Sequence, residues 1–483
     1  MSQNHTPLYD ALLAMHEKNI TPFDVPGHKR GRGVPEMADF IGRRALALDV
    51  NSMPDLDNLN YPTGVIAQAQ DLMAQAFGAD EAFFTVNGTT LAVHGMIMSV
   101  CGPGDKILLP RNVHKSVINA LILCDAFPVY MQAEVSQPLK FATGVTLDNV
   151  KQAIDENLDA KAIFLINPTY YGVCAHLQEI VEYAHSKDIV VLVDEAHGAH
   201  FPFHPQLPKS AMACGADMSA VSIHKTGGAL TQASAILLKE GRVKKETVRT
   251  ILNIFHTTSA SYLLMVSLDI ARKNLALNGH DKLAEILSLV RVAREQLNLV
   301  DGLYAWGQEL IGAPGVCDFD ETKLGINVEA LGLTGYEVYD ILLYDYNIQM
   351  ELADSCNVLA IVSLGDSKES LDILVNALRE VTVKFRRPDL IPIHHVPLKN
   401  PKVIITPRQA FYSNKRFVPL EQAEGEIIGE SVMVYPPGIP ILAPGEEVTK
   451  EIITYLQFLK EQDSKLTDMN DKTLNNLYIV DRR

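Results

Sequence analysis

The sequence predicts an α/β protein: a mostly parallel sheet with helices on both faces, followed by smaller α+β parts. Between about residues 76 and 240, short apolar runs alternate with helix-length amphipathic segments, the pattern of strand–helix–strand units. The apolar runs are continuous rather than alternating in polarity, as in strands buried on both faces. A length of 483 residues exceeds what one small core accommodates, so several structural domains are expected.

Taken in order, residues 1–75 open with a helix from Leu8 to Lys18, a Pro/Gly/basic loop (TPFDVPGHKRGRG) and an aspartate-rich stretch (MPDLDNLNYPTG). The α/β part, 76–310, carries strands at 82–86, 106–110, 162–167, 189–194, 218–223 and 234–238, with helices such as Leu91 to Val100 and Leu177 to Lys187 between them. Long helical patterns run from 240 to about 300. A smaller α+β segment, 311–388, holds TKLGINVEAL, NIQMEL and NVLAIVSL, then a helix from Glu369 to Phe385. The run RRPDLIPIHH breaks that helix, and 389–483 forms a last unit containing VMVYPPGIPILAPGE. Open parallel sheets bind ligands beyond the carboxyl ends of their strands, so the post-strand loops are where chemistry is expected.

Composition narrows the function. The formal charge of −16, with no clustered basic face, argues against nucleic acid and accords with a cationic small molecule. The longest apolar runs, AIFLI and IVVLV, are strand-sized and far short of a bilayer span. The first thirty residues lack an apolar signal core, and six scattered cysteines without CxxC pairs read as reduced thiols, so a cytoplasmic location is expected.

Four segments carry candidate chemistry. In SIHKTGG (222–228), Lys225 follows an apolar strand and precedes two glycines, a setting that desolvates an amine enough to make it a nucleophile; the plain alternative is a surface lysine in a turn. In VLVDEAHGAH (191–200), Asp194 ends a buried strand 31 residues before Lys225, room for one helix and one strand. That places the pair on one sheet edge, unless Asp194 only caps a turn. Gly88, Thr89 and Thr90 in TVNGTT stand at a strand-to-helix junction, where free amides and hydroxyls hold a phosphate, although threonine is also an ordinary helix cap. His114 in PRNVHKS follows the next strand, placed to stack on a flat ligand or to serve structure alone. A lysine, a carboxylate, a phosphate cradle and a ring in successive post-strand loops are together what pyridoxal 5'-phosphate requires. The string DEAH lacks the GxxxxGK[ST] loop of a helicase. His197, His200 and His204 are interrupted by prolines and match no strong metal pattern, so no metal is expected. A purely structural or interaction role would leave the ordered placement of Lys225, Asp194 and the threonines unexplained.

With these residues in place, the sequence resembles the ornithine/lysine/arginine decarboxylases, fold-type I pyridoxal-phosphate enzymes with an aspartate-aminotransferase-like large domain. The resemblance covers nearly the whole chain and is carried by PGHKRG, FGADEAFFTVNGTT, GPGDKILLPRNVHKS, INPTYYG, VDEAHGAH, SIHKTGG, HTTSASY and YPPGIPILAPGE. It is most like the short arginine decarboxylases of Gram-positive bacteria, and the amino-terminal wing of the large acid-induced members is not expected here, nor their decamer. The resemblance implies a Schiff base on Lys225, Asp194 at the pyridine nitrogen and His114 stacked on the ring. It places Thr89, Thr90, Ser222 and His224 around the phosphate, Ala196 on the opposite ring face, and His197 where larger relatives often carry Trp. Thr257 and Thr258 match a segment that reaches the neighbouring subunit's phosphate, which implies at least a homodimer.

The activity so implied is decarboxylation of a basic amino acid, arginine to agmatine above lysine or ornithine, in polyamine metabolism. His197 or the released Lys225 is the expected donor of the proton to Cα. Glu351 and Asp354 in QMELAD are the candidates for side-chain recognition, one carboxylate facing a guanidinium in bidentate fashion. Other fold-type I reactions, by an aminotransferase or an α-oxoamine synthase, are the alternative. The absence of arginine from 324–365, where aminotransferases hold the substrate carboxylate, favours its loss over its retention.

Overall fold

A computed structural model describes residues 2–388, 399–434, 439–461 and 466–482. The chain forms two compact units, one of residues 1–99 with 193–284, the other of 100–192 with 285–483. The expected 76–310 segment therefore contributes to both. Its strands belong to a seven-stranded sheet, and Val190–Asp194 has residues in each unit. The other observed strands of that sheet, Glu81–Thr85, Lys106–Pro110, Phe127–Met131, Ala162–Ile166, Met218–Val221 and Ser234–Leu238, match the expected ones to within two residues at either end, with one addition. The addition is Phe127–Met131, only two of whose five residues are fully buried and which contains Pro128, a residue disfavoured inside sheets.

In the second unit Lys106–Pro110 lies between Phe127–Met131 and Ala162–Ile166, parallel to both. In the first unit Ser234–Leu238 runs antiparallel to Glu81–Thr85 on one side and to Met218–Val221 on the other. The pairing Thr85 with Ser234 brings the end of one strand to the start of the other, beside the helix Gly88–Val100. Gly88 opens that helix at φ +71°, backbone that glycine adopts freely.

The first unit is tied to its amino-terminal helix, Pro7–Glu17, by a buried ion pair. That helix has no side-chain cap of its own. Instead Asp269, on the long helix Tyr262–Asn298, accepts the N–H groups of Leu8 (3.1 Å) and Tyr9 (3.4 Å). Arg272 pairs with Asp269 at 2.5 Å and donates to the carbonyls of Gln3 (2.7 Å) and His5 (2.6 Å). Both side chains are fully buried, so each answers a charge that would otherwise be stranded.

The second unit contains distinct apolar cores. One lies between the strands Lys323–Asn327 and Asn357–Ile361 and the helices Gly335–Tyr346 and Lys368–Phe385, around Leu324, Ile326, Val338, Leu342, Leu374 and Leu378. The helix of 368–385 starts on a capping box at Ser367, and RRPDLIPIHH, expected to end it, lies partly outside the described residues, as does the YPPG part of YPPGIPILAPGE. A second core gathers Val418, Leu420, Val432, Leu442, Leu456, Leu477 and Ile479. A third packs Phe141 face to face on Tyr171 (4.1 Å between centroids) under Trp306. Gly325 lies against that indole so closely that a Cβ would fall 1.8 Å from a ring carbon. Among the described residues no helix is long and apolar enough to cross a membrane.

Arg272→Met strips the Gln3 and His5 carbonyls of their donor and strands the Asp269 charge in the core. It is expected to cost about 3 kcal/mol, read as an earlier thermal unfolding midpoint of the cofactor-free chain. An unchanged midpoint would show that the pair does not hold the first helix.

Candidate active site

The first unit brings together Lys225, His197, Asp194, Ser222, His224 and Thr89. The strand Met218–Val221 stops earlier than the sequence suggested, and Ile223–Thr226 is a single helical turn with Ser222 at its start. Lys225 sits on that turn, its N–H bonded to the Ser222 carbonyl (3.1 Å). Its Nζ lies 2.8 Å from His197 Nε2. An amine and an imidazole at that distance share a proton, the ammonium donating and the neutral ring accepting.

Asp194 is the last residue of its strand, 7% exposed, and its Oδ1 accepts the Ala196 N–H at 3.1 Å. Burial pushes its carboxyl above the ordinary range, while the Lys225 charge and the Ala196 N–H pull it back. The segment Val191–His200 is buried throughout, so Ala196 and His197 are held by their surroundings.

At the start of helix Gly88–Val100 the hydroxyl of Thr89 bonds to Ser222 Oγ and donates to Ser234 Oγ at 3.0 Å. His224 completes this cluster, its Nδ1 3.1 Å from the Ala233 carbonyl and 3.4 Å from Ser234 Oγ. Burial lowers the His224 pKa, the hydrogen bond to the Ala233 carbonyl pulls it back, and the Lys225 charge adds to the lowering. Thr90 is exposed one position further along the same helix. Thr257 and Thr258 are exposed just after helix Lys245–Phe255, Thr257 Oγ1 lying 3.0 Å from Ser259 Oγ.

His114, Glu351 and Asp354 belong to the second unit. His114 is the N-cap of helix Lys115–Cys124, its Nδ1 accepting the Ser116 N–H. Asp354 is engaged locally. It accepts from Tyr171 Oη (2.7 Å), from the N–H groups of Cys356 and Asn357 (2.9 and 2.8 Å) and from the Asn357 amide (3.0 Å). Glu351 has an exposed side chain.

Three residues of this cluster were not singled out from the sequence. Ser234 joins it through strand pairing, which apolar patterning does not reveal. Thr226 is buried beside Lys225 with no hydrogen-bond partner for its hydroxyl. Glu195, next to Asp194, is buried and accepts from the Ala211 N–H (2.7 Å) and from Ser219 Oγ (2.8 Å). Burial pushes its carboxyl up to about 8, against those two hydrogen bonds. Adjacent acids at a strand end thus differ: one faces a lysine, the other is neutral at pH 7. Among the described residues no group of histidines, cysteines or acids is arranged to hold a metal.

Comparison with known proteins follows the same lines. The family described as Orn/Lys/Arg decarboxylase, major domain, matches residues 6–370, and the corresponding C-terminal domain matches 393–471. The chain is 46% identical to an arginine decarboxylase of Bacillus subtilis, covering 99% of both. It is 44% identical to an arginine decarboxylase of Bacillus anthracis, covering 99% of this chain and 98% of the other. Among solved structures, a Francisella novicida lysine decarboxylase superposes with a TM-score of 0.85 at 21% identity, over 99% of this chain and 81% of that one. The constitutive lysine decarboxylase of Escherichia coli gives 0.84 at 22% identity, over 99% and 82%.

An acid whose pKa is raised on folding favours the folded state only while protonated. The Glu195 contribution is therefore present in full below its unfolded value and is lost as pH rises towards about 8. Glu195→Gln keeps the shape without the charge, its amide oxygen accepting the Ala211 N–H and its amide N–H donating to Ser219 Oγ. It is expected to match the wild type in thermal midpoint near pH 5 and to exceed it at pH 9. Parallel pH profiles for the two proteins would remove the raised carboxyl from the account.

Proposed function

Because the chain belongs to the ornithine/lysine/arginine decarboxylase family, we propose that it removes the α-carboxylate of L-arginine, with pyridoxal 5'-phosphate as cofactor, to give agmatine and CO2. The observation that carries this is Lys225 Nζ beside His197 Nε2, in the same unit as the strand-end carboxylate Asp194. The donor set fits the cofactor. It offers one amine for the aldehyde, one buried carboxylate for a ring nitrogen, and a hydroxyl cluster at a helix start for a phosphate. When bound, the cofactor supplies an electron sink for the pair left behind when the carboxylate departs.

The chain's own residues do the rest. Lys225 supplies the attaching amine, and His197 holds or takes a proton at that Nζ. Asp194 keeps a proton on the cofactor's ring nitrogen. Burial raises the aspartate's pKa, and a positive charge on that nitrogen would offset it. Gly88, Thr89, Thr90, Ser222 and His224 are assigned to the phosphate, Ala196 and His114 to the two ring faces, and Thr257 and Thr258 to the site of a neighbouring subunit in a homodimer. Once the carboxylate has left, Lys225 or His197 delivers the proton to Cα.

Arginine is preferred to lysine and ornithine because the relatives of 44–46% identity are named arginine decarboxylases, whereas the lysine decarboxylase structures, at 21–22%, speak only to fold. Of the two acids proposed for the substrate's far end, Asp354 has its oxygens occupied by Tyr171, Cys356 and Asn357. We assign the guanidinium to Glu351 and give Asp354 the support of the turn beneath it. A cytoplasmic location accords with this metabolite chemistry.

Lys225→Ala is expected to lose both turnover and the borohydride-fixable cofactor, and a retained adduct on another lysine would displace the assignment. Asp194→Asn is expected to keep cofactor and lose at least about a hundredfold in kcat. Incubation with arginine, lysine and ornithine at equal concentration should give agmatine fastest. Faster cadaverine would move the substrate to lysine and leave the decarboxylase reading standing.

A further inference from the structure

The helix Lys115–Cys124, which starts at His114, is held at both ends by residues that follow it by more than 280 positions, all within the second unit. Three residues before His114, the Arg111 guanidinium makes a two-pronged contact with the Glu446 carboxylate, one prong at 3.0 Å, and also donates to the Ile441 carbonyl. The Glu446 side chain is 1% exposed and takes a further N–H from Ala443 at 2.7 Å. The same guanidinium lies over the Tyr130 ring, 4.8 Å from its centre. At the helix's first residue Lys115 reaches Asp468 at 3.3 Å. At its far end, Arg408 donates to the Ile122 (3.1 Å) and Leu123 (2.8 Å) carbonyls, which the last turn leaves unpaired, and Thr406 donates to Asp125, the left-handed residue that ends the helix.

We propose that the C-terminal part of the chain acts as a clamp on this helix, fixing the His114 ring where it meets the cofactor, with Glu446 and Arg408 as positioning residues. This rests on the reading of His114 given above. His114 is directed by the helix because its ring nitrogen accepts the Ser116 N–H, so a shift or rotation of the first turn turns the ring with it. A buried ion pair is a poor choice for stability alone, since apolar residues of like volume do as well, but it fixes one register. Caps on the last turn add the second fixed point that one contact lacks. A ring that stacks on a planar ligand requires both, because stacking falls away with small tilts and slips.

The test uses the full-length enzyme. Hydrogen exchange over 111–125 is followed in the cofactor-free chain, and the visible circular dichroism and dissociation constant of bound pyridoxal phosphate in the holoenzyme. The variants are Glu446→Gln, Arg408→Met, His114→Ala and the double variant Glu446→Gln/His114→Ala. Glu446→Gln and Arg408→Met are expected to speed exchange across the helix, change the cofactor dichroism, and weaken cofactor binding, by about tenfold for Glu446→Gln. The double variant is expected to be no worse than His114→Ala. Faster exchange with wild-type dichroism and affinity, while His114→Ala alters both, would overturn the proposal and leave a merely structural clamp. Additive losses in the double variant would overturn it too. Wild-type dichroism in His114→Ala itself removes the reading of His114, and the proposal with it, a result distinguished because that variant leaves the clamp intact. Arg408→Met touches only main-chain carbonyls on the helix, so it carries the test if Glu446→Gln folds poorly.

Discussion

Burial of the Asp194 carboxylate at the end of an apolar strand is the constraint from which the site is built. An acid so placed cannot remain charged unless positive charge is supplied close by. The chain supplies part of it through Lys225 and part through the Ala196 N–H, and burial still leaves the carboxyl above its ordinary range. The remaining compensation suits a protonated ring nitrogen, which makes the site more complete with the proposed cofactor than without it. Glu195, one residue on, is resolved the other way. It meets hydrogen-bond partners but no cation, and so stays neutral. The two acids share a strand end and differ only in what faces them.

What was legible in the sequence follows from what patterning encodes. Strands such as Ala162–Ile166 and Val190–Asp194 are continuous apolar runs bounded by polar loops, so both their positions and the chemistry beyond their ends can be read directly. Phe127–Met131 escaped although it too is apolar throughout, because it contains a proline, which sheets disfavour. The clustering of Thr89 with Ser222 was expected from resemblance, but the part played by Ser234 depends on antiparallel pairing, and strand direction leaves no mark on composition.

The least legible features are polar groups answered from afar. Thr6 precedes a helix and has the chemistry of a cap, yet the capping of Leu8 and Tyr9 comes from Asp269. Asp354 reads as a substrate-binding acid three residues from Glu351, and nothing local announces that Tyr171 donates to it. In each case the sequence supplies a buried polar residue, and only the fold supplies its partner. An acid near a strand end is therefore ambiguous between binding and bracing until its hydrogen bonds are counted.

The same reasoning separates the two kinds of buried charge in this molecule. Asp269 with Arg272 and Arg111 with Glu446 are closed pairs, each carboxylate matched to a guanidinium and to backbone N–H groups, so little is left to engage a ligand. Such pairs gain little over apolar packing and are best understood as fixing which segments meet. Lys225 differs because its amine faces an imidazole that can take its proton, whereas burial raises the carboxyls of Asp194, Asp269 and Glu446 alike. An ion pair closed on its own partners holds a register, whereas an amine beside a proton-accepting ring is suited to chemistry.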